Sequence, residues 1–246
     1  MLSVHQGRLT GLVAQLALLA VLVGTVGLGP VGVVAGLAYG AGVVELLSGA
    51  LERSGAPVLG PADLVTLLRS VLVGGIAALV ADSFVRPAPL GTLTALAAVA
   101  LLLDGVDGRV ARRTGTVSEV GARFDMEVDS VLVLLLSVSA ARSLGLWVLA
   151  IGSVRYLRLV AGWVVGWLRR PVPPRFWCKV VAVVQGVVLT ASAGDVLPRA
   201  VAVFALVVVA ALLVESFGRE VSGLWRTRRV AAADESEADV VGARHG

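Results

Sequence analysis

Apolar residues gather into eight runs, at 9–28, 31–51, 62–82, 88–104, 125–141, 145–168, 178–194 and 198–217, joined by short polar connections. Most of these runs are apolar on every side rather than along one stripe. Their lengths approach or exceed the roughly 20 residues a helix needs to cross a bilayer. A soluble chain of 246 residues would bury one core and keep polar faces on its helices. The pattern therefore predicts an all-α, polytopic membrane helix bundle with eight transmembrane helices. The first run follows Arg8, leads straight into a second span and has no small-x-small cleavage site before a polar start, so it is expected to stay as a helix.

Arginine and lysine mark the loops unevenly. Alternate connections carry Arg53, then Arg109, Arg112, Arg113 and Arg123, then Arg169, Arg170, Arg175 and Lys179, and the stretch after the last run adds Arg219, Arg226, Arg228 and Arg229. The intervening loops hold only Arg86, Arg142 and Arg199. Positive charge is retained on the cytoplasmic side, so both termini and the loop near residue 115 are expected to face the cytoplasm. Gly32, Gly36 and Gly40 form a small-residue stripe of the kind that lets helices pack closely. Trp147, Trp167, Trp177 and Trp225 lie near helix ends, as interfacial anchors do. Residues 223–246 carry charge without a core-forming pattern and read as a flexible cytoplasmic tail.

Composition narrows the chemistry. Mean hydropathy is +0.92, and only 15% of residues are charged. Basic residues outnumber acidic ones 21 to 17, but all except Lys179 are arginine, and they sit at loop edges where topology accounts for them. No basic patch interleaved with aromatics is present, so nucleic acid is not an expected partner. The single cysteine, Cys178, excludes an intrachain disulfide and supplies no zinc spacing. His5 and His245 stand near opposite ends of the chain, which argues against histidine catalysis.

Against that background one stretch stands out: residues 101–137, "LLLDGVDGRVARRTGTVSEVGARFDMEVDSVLVLLLS", place four aspartates between two apolar runs. Ionised carboxylates near hydrocarbon are costly unless paired. Asp104 and Asp107 are three apart and Asp125 and Asp129 four apart, so each pair shares a helix face, and two helix ends joined by a loop can aim both pairs at one point. Carboxylates without His or Cys suit hard divalent cations such as Mg²⁺ or Mn²⁺. Four of them can hold two ions about 4 Å apart, the arrangement that clamps a phosphoryl group during displacement. Gly108 and Gly121 leave room for a ligand beside the backbone, and Arg112 offers a forked donor to a diphosphate. Glu127, about 200° round the helix from Asp125, is expected to point away from the cluster.

The same stretch resembles the signature of the CDP-alcohol phosphatidyltransferases: Asp, two residues, Asp-Gly, two residues, Ala-Arg, eight residues, Gly, three residues, Asp, three residues and Asp. Asp104, Asp107, Gly108, Ala111, Arg112, Gly121, Asp125 and Asp129 occupy every fixed position at every gap. The resemblance implies transfer of a phosphatidyl group from a CDP-linked lipid, usually CDP-diacylglycerol, to an alcohol, with release of CMP and with two divalent cations, Mg²⁺ or Mn²⁺, as cofactors. Asp104, Asp107 and Asp125 resemble the metal ligands, with Asp129 contributing to the second metal and acting as general base. Gly108, Ala111, Arg112 and Gly121 resemble positions that bind the CDP moiety. A weaker echo at "DLVTLLRS" fits the family's Asn, two residues, Thr, two residues, Arg at Thr66 and Arg69, with Asp63 in place of the Asn, and adds Thr66 to the nucleotide-binding set. The implied fold is a six-helix core over 55–222, preceded by an extra transmembrane hairpin over 1–54 and followed by the tail.

Arg155 and Arg158, three apart inside the sixth run, are expensive in a membrane and either pair with an acid or line a polar cavity. With Lys179, and with Gln185 nearby, they are candidates for binding a phosphorylated acceptor such as glycerol 3-phosphate or an inositol phosphate. An uncharged or lipid acceptor is the alternative. The expected partners are a CDP-diacylglycerol-like lipid, a small alcohol, membrane lipids and a homodimer mate. The expected location is a bacterial plasma membrane, with the site on the cytoplasmic side. A membrane transporter is the rival class, because intramembrane acids and arginines also mark ion pathways.

Overall fold

Each apolar run becomes a helix, and the punctuation between runs sets where the helices stop. The computed structural model describes the backbone over residues 2–54, 58–59, 61–114, 119–164 and 176–242, and side chains over most of 6–49, 64–105, 121–160 and 177–219. The described helices are α1 (Val4–Val26), α2 (Pro30–Ser54), α3 (Pro61–Asp82), α4 (Leu90–Thr114), α5 (Glu119–Leu144), α6 (Val148–Val164), α7 (Phe176–Ala193) and α8 (Arg199–Gly242). Pro30 and Pro61 open their helices at the first position, where a missing N–H costs nothing. Gly27, with φ of 68°, ends α1 in the left-handed conformation that glycine adopts without strain. The departure from an all-helical description is small: β1 (Leu2–Ser3) and β2 (Val58–Leu59) pair antiparallel, with Leu2 opposite Leu59.

Helix α3 is the axis of the bundle, packed by α1 and α2 on one side and by α4 and α5 on another. Val73, Ile76, Ala78 and Leu79 are buried in its middle. Helices α7 and α8 pack together, with α7 against α4 and α5. The outer faces are apolar as well. Leu16, Val34, Phe204 and Val214 are all exposed, a surface that suits hydrocarbon rather than water. Among the described residues, four helical stretches are long and apolar enough to cross a membrane: Gln6–Val26, Pro30–Leu47, Leu64–Asp82 and Arg199–Arg219. Shorter apolar helices cover Leu90–Gly105 and Val180–Ala193. The protein is thus a polytopic helical membrane bundle. Helix α4 falls short as an uninterrupted apolar span because the acids and arginines of 104–113 occupy its last turns. Helix α8 runs on to Gly242, through residues that read as a tail, where the Ala- and Glu-containing segment has good helix propensity.

The N-terminal hairpin is seated through its glycines. Gly32 faces α3 so closely that an added Cβ would lie 2.8 Å from the Ala78 carbonyl oxygen and 3.0 Å from the Asp82 Cβ. Gly36 faces Leu19 and Ala78, Gly40 faces Gln15, and from the other side Gly74 faces Gln15 and Gly75 faces Leu18. The stripe therefore brings α1, α2 and α3 into close approach. At the end of this interface the Gly29 N–H donates to Asp82 Oδ2 at 3.1 Å, and Arg86 Nη1 donates to the Gly27 carbonyl at 3.0 Å. Arg142 ties α5 to the same corner, donating to Ser83 Oγ at 2.9 Å and stacking over the Phe84 ring at 5.1 Å. Backbone cannot yield as a flexible side chain does. Gly32→Leu is therefore expected to destabilise the fold by about 3 kcal/mol, near the upper end for overpacking. In detergent the unfolding temperature should fall by roughly 6–12 °C, and an unchanged value would mean that α2 does not dock through this stripe.

Candidate active site

Three helices converge about 20 Å along α3 from the Asp82 corner, taking 1.5 Å per residue between Arg69 and Asp82. Helix α4 brings Asp104 on its way out of the apolar layer, and α5 brings Asp125 and Asp129 in its first turns. The 3.6-residue period explains why α5 can do this without losing its core. Phe124, Val128 and Leu132 recur at four-residue spacing and are buried, so the two aspartates fall on the adjoining strip. One oxygen from each of Asp104, Asp125 and Asp129 lies within 4.8 Å of the others, a grouping able to hold a metal ion. The three carboxylates are partly open, with side-chain exposures of 34%, 32% and 42%.

Arg69 of α3 stands in the middle of this cluster and is fully buried, at 0% exposure. Its Nη1 meets Asp104 Oδ1 at 2.5 Å, and its Nη2 pairs with Asp125 Oδ1 and, at 3.1 Å, with Asp129 Oδ1. The same nitrogen donates to the Asp125 backbone carbonyl at 3.3 Å. One guanidinium thus bridges the carboxylates of α4 and α5, a use that suits its planar set of five donors. Sequence reasoning placed Arg69 only in a weak echo of a motif. The available signal was physical: an arginine inside "LVTLLRSVLVG" needs an acidic partner.

The other expected site residues divide into placed and unplaced. Thr66 is buried one turn before Arg69 on α3, and Gly121 lies in the first turn of α5, one turn before Asp125. Asp107, Gly108, Ala111 and Arg112 continue the last turns of α4, but their side chains, like those of Asp63 and Lys179, lie outside the described residues. On α6, Arg155 Nη2 pairs with Glu127 Oε1 of α5 at 2.7 Å. Arg158 is exposed. Gln185 of α7 is buried and donates to the Ile151 carbonyl at 3.1 Å, which fastens α7 to α6.

Residues 60–217 match the family described as CDP-alcohol phosphatidyltransferase. The match covers more than half of the chain and contains Thr66, Arg69 and the whole aspartate constellation, and the chain belongs to this family. No curated protein and no solved structure matches it. The protein is accordingly a membrane transferase of phospholipid biosynthesis that moves a phosphatidyl group from a CDP-alcohol to an acceptor. A carrier would have no need of the aspartates, both glycines and Arg112 at these intervals, and the family assignment sets the transporter reading aside. Helices α1 and α2 lie before the matched region.

Proposed function

We propose that the donor is CDP-diacylglycerol, that the acceptor is a small phosphorylated alcohol such as glycerol 3-phosphate or an inositol phosphate, and that CMP leaves. The observation carrying this reading is the convergence of Asp104, Asp125 and Asp129, at the family's motif positions, on one point about three turns before the end of α4 and within the first turns of α5. Their all-oxygen, all-carboxylate character fits Mg²⁺ or Mn²⁺. Two such ions, held by these residues together with Asp107, would neutralise the diphosphate charge and the charge developing on the departing CMP.

The chain's own residues have separate tasks. Asp129, the most exposed of the three carboxylates, takes the proton from the acceptor hydroxyl. That oxygen attacks the lipid-bearing phosphorus, and the bond from this phosphorus to the oxygen of CMP breaks. Thr66, Gly108, Ala111, Arg112 and Gly121 bind the CDP moiety, with the glycines giving it access to the backbone. The excess of arginine in the loops at this end of the bundle supports a cytoplasmic face, where CTP-derived substrates are available.

Arg155, with Arg158 and Lys179, forms the proposed acceptor side. Arg155→Ala is expected to raise the KM for a phosphorylated acceptor about tenfold, the loss of one charge-assisted contact, and to leave the KM for the CDP-lipid nearly unchanged. Equal changes in both would remove Arg155 from the acceptor pocket. A second reading is favoured by the Glu127–Arg155 pair, which already neutralises that guanidinium and so suits an uncharged alcohol. Purified protein supplied with CDP-diacylglycerol, Mg²⁺ or Mn²⁺ and a panel of radiolabelled acceptors separates the two readings. No CMP release with any acceptor would sink both.

A further inference from the structure

A guanidinium cannot be deprotonated in a protein, so Arg69 is a permanent charge, and it is entirely enclosed. Such a charge persists only where carboxylates compensate it. Its compensation comes from Oδ1 of Asp104, of Asp125 and of Asp129, the same three carboxylates that group as a cation site. Three carboxylates and one guanidinium leave this described cluster with two formal negative charges, and any divalent ion entering it must share those acids with the arginine.

We infer that Arg69 is a resident counter-cation of the metal site: it holds the α4 and α5 carboxylates together and weakens divalent-ion binding by competing for them. The inference rests on the metal-binding role assigned to these aspartates above. Two effects oppose each other when Arg69 is removed. The carboxylates lose a clamp, which lowers metal affinity, and the ion loses a positive neighbour, which raises it. The second effect is the larger, because like charges held against the same acids repel and Arg69 itself is closed to water, while the packing of α4 and α5 against α3 limits how far the acids can move. Arg69 is thus a positioning residue that keeps bound ions exchangeable.

The test uses the full chain in detergent, with Mn²⁺ binding followed by the electron paramagnetic resonance of the free ion and with thermal unfolding in EDTA and in Mn²⁺. Arg69→Gln is expected to bind Mn²⁺ at least about tenfold more tightly than the parent, to unfold at a lower temperature in EDTA, and to recover most of that loss in Mn²⁺. Arg69→Lys keeps the charge without the fork. It should bind Mn²⁺ within about threefold of the parent while losing stability in EDTA. Equal or weaker Mn²⁺ binding by Arg69→Gln overturns the inference. So does a variant that stays unfolded in Mn²⁺ as in EDTA, since that is the behaviour of a purely structural arginine. A parent protein that binds no Mn²⁺ overturns the metal assignment itself, and this inference with it.

Discussion

Asp129→Asn is expected to lower kcat by about 10³-fold or more while the protein still folds and still binds CDP-diacylglycerol. General-base catalysis contributes about 10²–10⁴-fold, and here the same substitution also removes a charge from the cation site. Folding should survive for a geometric reason. Arg69 keeps Asp104 and Asp125, and its contact with Asp129, at 3.1 Å, is longer than its contact with Asp104. Asp129 is also the most exposed of the three acids, as a group must be to meet an incoming hydroxyl. The measurements are CMP release in a single turnover, binding of the CDP-lipid, and the unfolding temperature. Near-normal turnover would exclude Asp129 as the base. Parallel loss of turnover and CDP-lipid binding would make it a ligand only.

The eight helices were legible because the hydrophobic pattern carries them directly. The run at 62–82 and helix Pro61–Asp82 agree almost residue for residue. The aspartates were legible for a related reason, since residues three or four apart share a helix face wherever the helix goes. What pattern alone cannot supply is which helix faces which. Arg69 needed an acid, but only the packing of α3 between α4 and α5 shows that it takes three. Arg155 had two readings, an anion pocket or an acid partner. The structure gives it the acid, Glu127 of α5. The far limit of α8 was missed because apolar character ends near residue 217, whereas helix propensity does not.

The hairpin's role was the least legible, since a stripe of glycines says that something packs closely but not what. Its neighbour is the helix that carries Arg69, and this leads to the second large effect. Removing residues 1–54 is expected to lower the unfolding temperature in detergent by about 10 °C or more and to reduce phosphatidyl transfer to less than a tenth. The cause is not exposure of apolar surface, because lipid covers a bare apolar helix well and gives little drive for helix association. What is lost is specific to this interface. The Gly74–Gly75–Ala78 face of α3 is shaped for the close approach of Gln15, Leu18 and Gly32. Asp82, buried at the end of α3 beside the hairpin, loses the Gly29 N–H that meets its carboxylate, a charge-assisted hydrogen bond that fixes this end of the helix. With both ends of that face released, α3 is free to shift along α4 and α5, and Arg69 moves with it. Activity should therefore fall further than the stability loss alone accounts for, which comparison at a temperature where both proteins are folded would show. If the truncated protein kept its activity and unfolded within a few degrees of the full chain, the hairpin would be peripheral and α3 would hold its register by its contacts with α4 and α5 alone.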